Sequence, residues 1–89
     1  MEFEWDEAKR ALNLSKHGLD LKDGQLLFDG RPALSYPSPR FGELRHVTIG
    51  QVDQRMVALV WVIRDGVIRL ISLRSARDAE KREYRARHG

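Results

Sequence analysis

Arginine and lysine side chains recur at helical spacing near the end of the sequence. The basic residues of this stripe are Arg74, Arg77, Lys81 and Arg85. Spacings of three, four and four residues would place them on one side of a helix, with the first two near its N-terminus, where free backbone N–H groups favour phosphate. The stripe predicts a surface for a polyanion such as nucleic acid. The alternative is a solvated helix whose interspersed acidic side chains neutralise the stripe.

A second candidate group lies where the first predicted helix ends, at Lys16 and His17 before Gly18. An unperturbed histidine titrates at about pH 6.5, which suits a proton donor or acceptor. Lys16 beside it is a candidate phosphate ligand, whereas Lys9 on the same side of the helix is interpreted as part of a solvated face. The alternative for His17 is a cation that stabilises the C-terminal end of the helix dipole.

Two arginines fall within predicted strands. Arg69 has the strand parity of Ile71 and Leu73, so it interrupts an apolar run. It could be an edge residue, a partner in a buried ion pair, or a ligand-binding group on an open sheet face. Arg45 lies on a strand that we expect to be adjacent, and it could converge with Arg69 on the same face.

Glu80 and Tyr84 are four residues apart and share another face of the last predicted helix. The carboxylate could orient an arginine or accept a proton. The tyrosine ring could stack on a nucleobase or pack in the core. The sequence leaves both pairs of alternatives open.

The sequence predicts neither a metal site nor a cofactor. The three histidines lack the spacing of metal ligands, and no carboxylate joins them in a recognised motif. The chain contains no cysteine, so disulfides and thiolate metal sites are excluded. A serine nucleophile would need a strand–turn–helix motif that the sequence does not contain.

The composition fits one small domain over residues 1–89 whose charge is unevenly distributed. The net charge is +3 and 42% of the residues are hydrophobic. Residues 1–31 hold five Lys/Arg and seven Asp/Glu, a net charge of −2, whereas residues 64–89 hold eight and four, a net charge of +4. A basic final third favours a polyanionic partner. We expect a cytoplasmic protein because no apolar run is long enough for a membrane span and the N-terminus does not resemble a signal peptide.

Hydrophobic periodicity and turn residues predict an α+β fold with a small antiparallel β-sheet, two N-terminal helices and one C-terminal helix. The predicted strands cover 3–5, 33–36, 43–52, 55–63 and 67–73, and the predicted helices cover 6–17, 20–28 and 75–87. Asp6, Asp20 and Ser75 are the expected N-caps. We expect the first of these helices to end at Gly18, and the residues from Pro37 to Gly42 to form a mobile loop.

Four segments, distributed over nearly the whole length of the chain, form a recognisable set of motifs. They are Phe3-Glu4-Trp5-Asp6 with Lys9, Asn13 and Lys16-His17-Gly18; Phe28-Asp29; Glu43 and Arg45 before Gly50; and Arg69-Leu70-Ile71-Ser72 with Arg74, Ala76, Glu80, Arg82 and Tyr84. In this order they resemble the BrnT family of toxins. The chain departs from the family at Gly24, where alanine is common, and glycine there costs about 1 kcal/mol of helix stability relative to alanine.

The resemblance implies a RelE-like fold and a ribonuclease toxin of a type II toxin–antitoxin system. Such a toxin cleaves RNA without a metal ion, inhibits translation, and is neutralised by a BrnA-like ribbon-helix-helix antitoxin. Operator DNA would be bound only through that antitoxin. The resemblance also favours the interpretation that Arg69 lies on an open sheet face, because RelE-like toxins bind ligand on such a face. The alternative functions are a non-catalytic nucleic-acid-binding module or a protein-interaction module that uses the basic C-terminal helix.

Ten residues are therefore candidates for the active site or for RNA binding. The catalytic candidates are Lys16, His17, Arg69, Arg74, Arg77, Glu80 and Tyr84, and the RNA-binding candidates are Arg45, Lys81 and Arg85. The arginines and Lys16 would bind and stabilise phosphate. His17, with Glu80 or Tyr84, would transfer protons.

Overall fold

A computed structural model describes residues 1–89 as an α+β fold with a five-stranded sheet and three helices. The elements are β1 (Phe3–Glu4), α1 (Glu7–His17), a 3₁₀ helix (Leu21–Phe28), β2 (Leu34–Arg40), β3 (Glu43–Val52), β4 (Arg55–Arg64), β5 (Val67–Ser75) and α2 (Asp78–His88). No helix is both long enough and apolar enough to cross a membrane.

The sheet separates two apolar clusters, one on each face. The larger cluster packs the 3₁₀ helix against β4 and β5 through residues such as Leu21, Leu59 and Leu70. The smaller cluster on the opposite face packs Tyr84 of α2 against Ala58 and other residues of the sheet. Because side chains alternate along a strand, neighbouring residues of β4 contribute to opposite clusters. Helices therefore cover both faces, and α2 covers its face only in part.

The strand order is β1-β5-β4-β3-β2, and the sheet is mixed rather than wholly antiparallel. β1 pairs in parallel with β5, Phe3 opposite Ile68 and Glu4 opposite Arg69. The other three pairings are antiparallel. The local sequence sets direction only for strands joined by hairpins, and no hairpin joins β1 to a neighbour. The expectation of an antiparallel sheet was therefore wrong at this edge.

Helix α1 has the predicted boundaries. The Asp6 side chain accepts a hydrogen bond from the backbone N–H of Ala8 at 2.8 Å, and Gly18 ends the helix in the left-handed conformation with φ of 67°. Both are expected because an N-cap carboxylate satisfies free N–H groups and glycine adopts positive φ without a steric penalty. Lys16 and His17 therefore lie in the last turn, as predicted.

The second predicted helix is a 3₁₀ helix rather than an α-helix. Its buried residues are Leu21, Gly24 and Leu27, which follow one another at intervals of three residues. A 3₁₀ helix has three residues per turn, so this spacing places all three on one face, whereas an α-helix would spread them. The predicted N-cap is confirmed, because the Asp20 carboxylate accepts from the Lys22 N–H at 3.2 Å.

Gly24 is required by packing. A Cβ atom added there would lie 2.6 Å from Cδ1 of Leu59, which is fully buried and has little room to move. We therefore expect Gly24→Ala to lower the free energy of unfolding by about 1–3 kcal/mol, as overpacked cores do. Urea denaturation measures this, with Lys22→Ala as an exposed control on the same helix. A variant as stable as the wild type would show that the helix can shift away from β4.

Strand β2 runs through the segment that we expected to be a loop. It extends from Leu34 to Arg40 and pairs with β3 along its whole length. Pro37 and Pro39 are tolerated because β2 is an edge strand, where a missing N–H group can face solvent. Only Phe41 and Gly42 form the turn, both with positive φ, as in the type I′ turns that join hairpins. Asp53-Gln54 and Asp65-Gly66, which lie between the predicted strands, form turns of the same geometry.

A β-bulge in β5 changes which side chains share a face. Val60 of β4 pairs with Ser72 and Trp61 pairs with Leu70, so Ile71 is an extra residue without a partner. Arg69 pairs with Val62, two residues beyond Val60, and therefore lies on the face of Ser72 rather than on that of Leu73. The parity assigned to Arg69 from the sequence was wrong for this reason.

Helix α2 begins later than predicted. Ser75 is the last residue of β5, and Arg77 occupies the N-cap position. The Glu80 carboxylate, three residues on, accepts the Arg77 backbone N–H at 2.8 Å and so satisfies the helix start. Arg74 consequently lies on β5 and not on the helix. The predicted helical stripe is therefore shortened to Arg77, Lys81 and Arg85.

Candidate functional site

A cavity of about 220 Å³ on the α2 face of the sheet contains four arginines, and we call it the arginine groove. Its lining residues are Tyr36, Ser38, Arg40, Arg45, Val47, Val60, Ile71, Ser72, Arg74 and Arg77. No aspartate or glutamate is among them. Four guanidinium groups in one concave surface create a positive potential that favours an anion.

Three strands and the start of α2 bring these arginines together. Arg40 is the last residue of β2, and Arg45 of β3 pairs with Ser38 of β2. Arg74 of β5 pairs with Ala58 of β4, so β4 separates it from β3. The expectation that Arg45 and Arg69 occupy adjacent strands was therefore wrong, although both strands belong to one sheet. Arg77 reaches the groove from the N-cap of α2.

The four guanidinium groups differ in how far they are already paired. Arg45 donates to Glu43 at 3.2 Å, and Arg74 binds both carboxylate oxygens of Glu80, at 2.8 and 2.9 Å. The side chains of Arg40 and Arg77 make no hydrogen bond or ion pair. The groove therefore holds two cations whose hydrogen-bonding capacity remains available to a ligand.

Glu80 lies behind the groove and holds one side of it together. Its side chain is 8% exposed, and it accepts hydrogen bonds from Arg74, the Arg77 backbone N–H and the Tyr36 hydroxyl. Burial alone would raise the pKa of this carboxyl, but the hydrogen bonds outweigh burial and lower the pKa to about 2. An acid this strong is a poor proton acceptor at neutral pH. The geometry fits the orienting role considered for Glu80 better than the role of a base.

Tyr36 and Arg40 belong to the groove, although neither was a candidate from the sequence. The pKa of Tyr36 is raised by burial and by its hydrogen bond to Glu80, so the phenol stays neutral near pH 7. Tyr36, Ser38 and Arg40 alternate along β2 and therefore share a face. This alternation was the available signal, and ending the strand before Pro37 concealed it.

A second cavity, of about 410 Å³, lies between α1 and β5, and we call it the α1 cavity. Its lining residues are Lys9, Leu12, Asn13, Ser15, Lys16, His17, Ile71 and Ser72. Ile71 and Ser72 also line the arginine groove, so the two cavities meet at the β-bulge. Lys16 and His17 are thus separate from the arginines but adjacent to them.

Asn13 fixes α1 beside β5 and so positions this cavity. Its buried amide donates to the carbonyl oxygens of Leu19 and Leu73, both at 2.8 Å, and accepts from the Leu73 N–H at 2.9 Å. Strand β1 pairs with β5 only at Ile68 and Arg69, so the backbone of Leu73 has no neighbouring strand on that side. The Asn13 amide binds its N–H and carbonyl groups instead. Both N–H groups and the oxygen of its amide are bonded to backbone groups, which makes Asn13 a structural residue of the site.

The other predicted site residues lie outside both cavities. Arg69 is bound to the Glu4 carboxylate across β1 and β5. Lys81 and Arg85 follow Arg77 at intervals of four along α2, without an ion pair. Tyr84 is 9% exposed and belongs to the smaller apolar cluster. Of the predicted arginines, the groove brings together Arg45, Arg74 and Arg77.

No group of three or more histidine, cysteine, aspartate or glutamate side chains is arranged so that it could hold a metal ion. His46 stacks on Trp61 with ring centroids 4.4 Å apart, and His88 contacts the Ala33 carbonyl oxygen at 3.0 Å. Neither contact involves His17.

Comparison with known proteins identifies the family. Residues 5–83 match the family model described as the ribonuclease toxin BrnT of type II toxin–antitoxin systems. No curated protein matches the sequence. The family match covers nearly the whole chain and includes the groove and the α1 cavity, in agreement with the resemblance that the sequence motifs indicated. The chain belongs to the BrnT family of ribonuclease toxins.

Proposed function

We propose that this toxin cleaves RNA without a metal ion, with the reacting phosphate held in the arginine groove. The observation that carries the proposal is the groove lining, which contains four arginines and no carboxylate. Such a site attracts a phosphodiester and repels a metal cation. Arg40 and Arg77 have free donors, and the planar guanidinium can bind two phosphate oxygens at once.

The reaction begins with attack of the ribose 2′-oxygen on the adjacent phosphorus. The bond from phosphorus to the 5′-oxygen of the next nucleotide breaks, leaving a 2′,3′-cyclic phosphate and a free 5′-hydroxyl. Negative charge grows on the phosphate oxygens during this step, and guanidinium groups already in place stabilise it. Arg74 is the most firmly placed, because Glu80 holds it at two points.

The reaction also moves two protons, one from the 2′-hydroxyl and one to the leaving 5′-oxygen. His17 is our candidate for this transfer, because its α1 cavity meets the groove at Ile71 and Ser72. An RNA strand lying across the β-bulge would contact both cavities. Lys16 would bind the same strand beside the histidine. Tyr36 donates its only hydroxyl proton to Glu80 and would therefore act indirectly, by keeping that carboxylate in place against Arg74.

The remaining predicted residues have lesser roles in this proposal. Lys81 and Arg85 would contact RNA beyond the groove through phosphate alone. Arg69 would contribute only to the positive potential near the groove, since it lies outside the groove and its guanidinium is already paired with Glu4. Tyr84 supports α2 through its ring, and a direct role in the reaction would require its hydroxyl to reach the RNA.

We also propose that the toxin acts in the cytoplasm, where RNA cleavage inhibits translation, and that a BrnA-like ribbon-helix-helix antitoxin neutralises it. The family description supports an antitoxin partner, since type II systems pair the toxin with a protein. An acidic segment of that partner would complement the unpaired Arg40 and Arg77. Operator DNA would then be bound by the antitoxin, and an adjacent reading frame for such a protein would support this pairing.

Purified toxin is expected to cleave single-stranded RNA equally well in EDTA and in magnesium. The products should carry 2′,3′-cyclic or 3′-phosphate ends, because the groove stabilises attack by the neighbouring 2′-oxygen. Mass spectrometry of the fragments measures both points. The matched substrate is the same oligonucleotide with deoxyribose throughout, which lacks the attacking hydroxyl and should stay intact.

Two outcomes would contradict this proposal in different ways. Activity that disappears in EDTA and returns with magnesium would mean that a metal ion, and not the arginines, stabilises the negative charge on the phosphate oxygens. Folded toxin that binds RNA but leaves it intact, alone and with ribosomes, would favour the binding-module function that the sequence left open.

A further inference from the structure

The largest cavity of the protein, about 440 Å³, lies between α2 and the edge strand β2. Leu34, Ile49 and Ala79 give it mostly apolar walls. Tyr36 and Arg77 line both this cavity and the arginine groove, so the two are contiguous. A group that enters the cavity can therefore be covalently linked to a phosphate in the groove.

Besides Arg77 and Glu80, two further charged side chains of α2 line this cavity. Glu83 and Arg87 are one helical turn apart, and neither makes a hydrogen bond or an ion pair. The cavity thus combines apolar walls, the free carboxylate of Glu83 and the free guanidinium of Arg87, in addition to Arg77, which it shares with the groove. Small-molecule pockets have this character, with apolar surface and a few polar groups that select the ligand, and volumes of roughly 300–1,000 Å³.

We propose that this cavity is a nucleobase pocket that selects guanine next to the phosphate bound in the arginine groove. This inference rests on the proposed function, since it assigns the base that accompanies the cleaved phosphate. A nucleobase has flat apolar faces and a polar edge, which matches the walls and the two free charged groups. The cavity sharing Arg77 with the groove is consistent with a base and its own phosphate bound side by side.

The charged groups favour guanine over the other bases. Guanine carries two neighbouring donors, N1–H and the N2 amino group, which a single carboxylate can accept together. It also presents O6 and N7, the acceptor pair that arginine binds most often. Adenine, cytosine and uracil each lack the paired donors for Glu83. Guanine is therefore the base whose edge can satisfy both Glu83 and Arg87.

Nucleotide binding tests the pocket without requiring cleavage. We expect guanosine 3′-monophosphate to bind on the order of tenfold more tightly than inosine 3′-monophosphate, which lacks only the N2 amino group. Glu83→Gln should remove this difference, because the amide no longer offers two acceptors to the paired donors. Asp78→Asn is the matched control, since it also neutralises a carboxylate of α2 but lies outside all three cavities. Isothermal titration calorimetry measures all three proteins.

A second variant fills the pocket. Ala79→Leu places a larger side chain in the cavity from an exposed helix position, so the helix should keep its stability. We expect this variant to lose most of its affinity for guanosine 3′-monophosphate and to cut RNA with less preference for guanine at the cleaved bond. Sequencing of fragment ends measures the preference.

The results separate failure of the pocket from failure of the proposed activity. Equal affinity of the wild type for the guanosine and inosine nucleotides, or a difference that persists in Glu83→Gln, would overturn the guanine pocket even if RNA is cleaved at the arginine groove. Selective binding by a protein that cuts no RNA would retain the pocket and reject the nuclease. If Ala79→Leu leaves nucleotide binding unchanged and instead abolishes antitoxin binding, the cavity is a protein-docking site and the inference is wrong.

Discussion

Replacing Arg77 by alanine is expected to lower RNA cleavage by on the order of a hundredfold while leaving the fold intact. Its guanidinium lines the arginine groove and has no partner within the protein, so it is free to bind the reacting phosphate. Loss of one preorganised donor at a developing charge typically lowers the rate by about 10²–10³. Single-turnover cleavage of a short RNA measures the chemical step directly. Arg77→Lys should restore part of the rate, because an ammonium keeps the charge but cannot bind two oxygens in a plane.

The stability of the Arg77 variant should change little. The helix start depends on the Arg77 backbone N–H, which the Glu80 carboxylate accepts and which alanine retains. Arg82→Ala is the matched control, because it removes the same charge from an exposed position of α2 that lines no cavity. Arg69→Ala should cost less activity than Arg77→Ala, since Arg69 is already paired with Glu4. Cleavage at the wild-type rate by folded Arg77→Ala would mean that the phosphate binds elsewhere.

The parts of the fold that follow from local chemistry could be predicted from the sequence. Asp6 and Gly18 delimit α1 because capping needs only neighbouring backbone groups. The turns at Asp53-Gln54 and Asp65-Gly66 are likewise local features, since each contains aspartate or glycine, which tolerate positive φ. Arg45, Arg74 and Arg77 of the candidate site could be selected by residue type, but the helical spacing assigned to Arg74 was wrong because Arg74 lies on β5.

Features that depend on distant strands could not be predicted in this way. Pro37 reads as the end of a strand unless the strand is known to be at an edge, and this error concealed Arg40 and Tyr36. The bulge at Ile71 exists only in the pairing of β5 with β4, and it reverses the face on which Arg69 lies. The role of Glu80 also depended on Tyr36, which is 44 residues away in the chain.

Glu80→Gln is expected to lower the free energy of unfolding at neutral pH by about 3 kcal/mol, the largest stability effect that we foresee for a residue near the groove. The pKa of the Glu80 carboxyl falls from its usual 4.5 to about 2 in the folded protein, and each pKa unit corresponds to about 1.4 kcal/mol. The amide would also leave Arg74 without its buried counter-charge, which is costly in itself. Urea denaturation at pH 7 measures the loss, and Asp78→Asn, an exposed position, should change stability by less than about 0.5 kcal/mol.

The pH dependence distinguishes this ion pair from simple packing. A carboxyl whose folded pKa is depressed contributes stability above its unfolded pKa, and that contribution is lost as the pH falls through the folded pKa. For Glu80 the loss should run from about pH 4.5 down to about pH 2.

The other carboxyls titrate in both proteins, so the stability difference between wild type and Glu80→Gln isolates this residue. That difference should shrink by about half between pH 7 and pH 3. A stability difference that stays constant over that range would mean that the Glu80 side chain stabilises the fold by packing rather than by its charge. Strand β5 alone would then position Arg74 and determine the geometry of the groove, without a contribution from the Glu80 carboxylate.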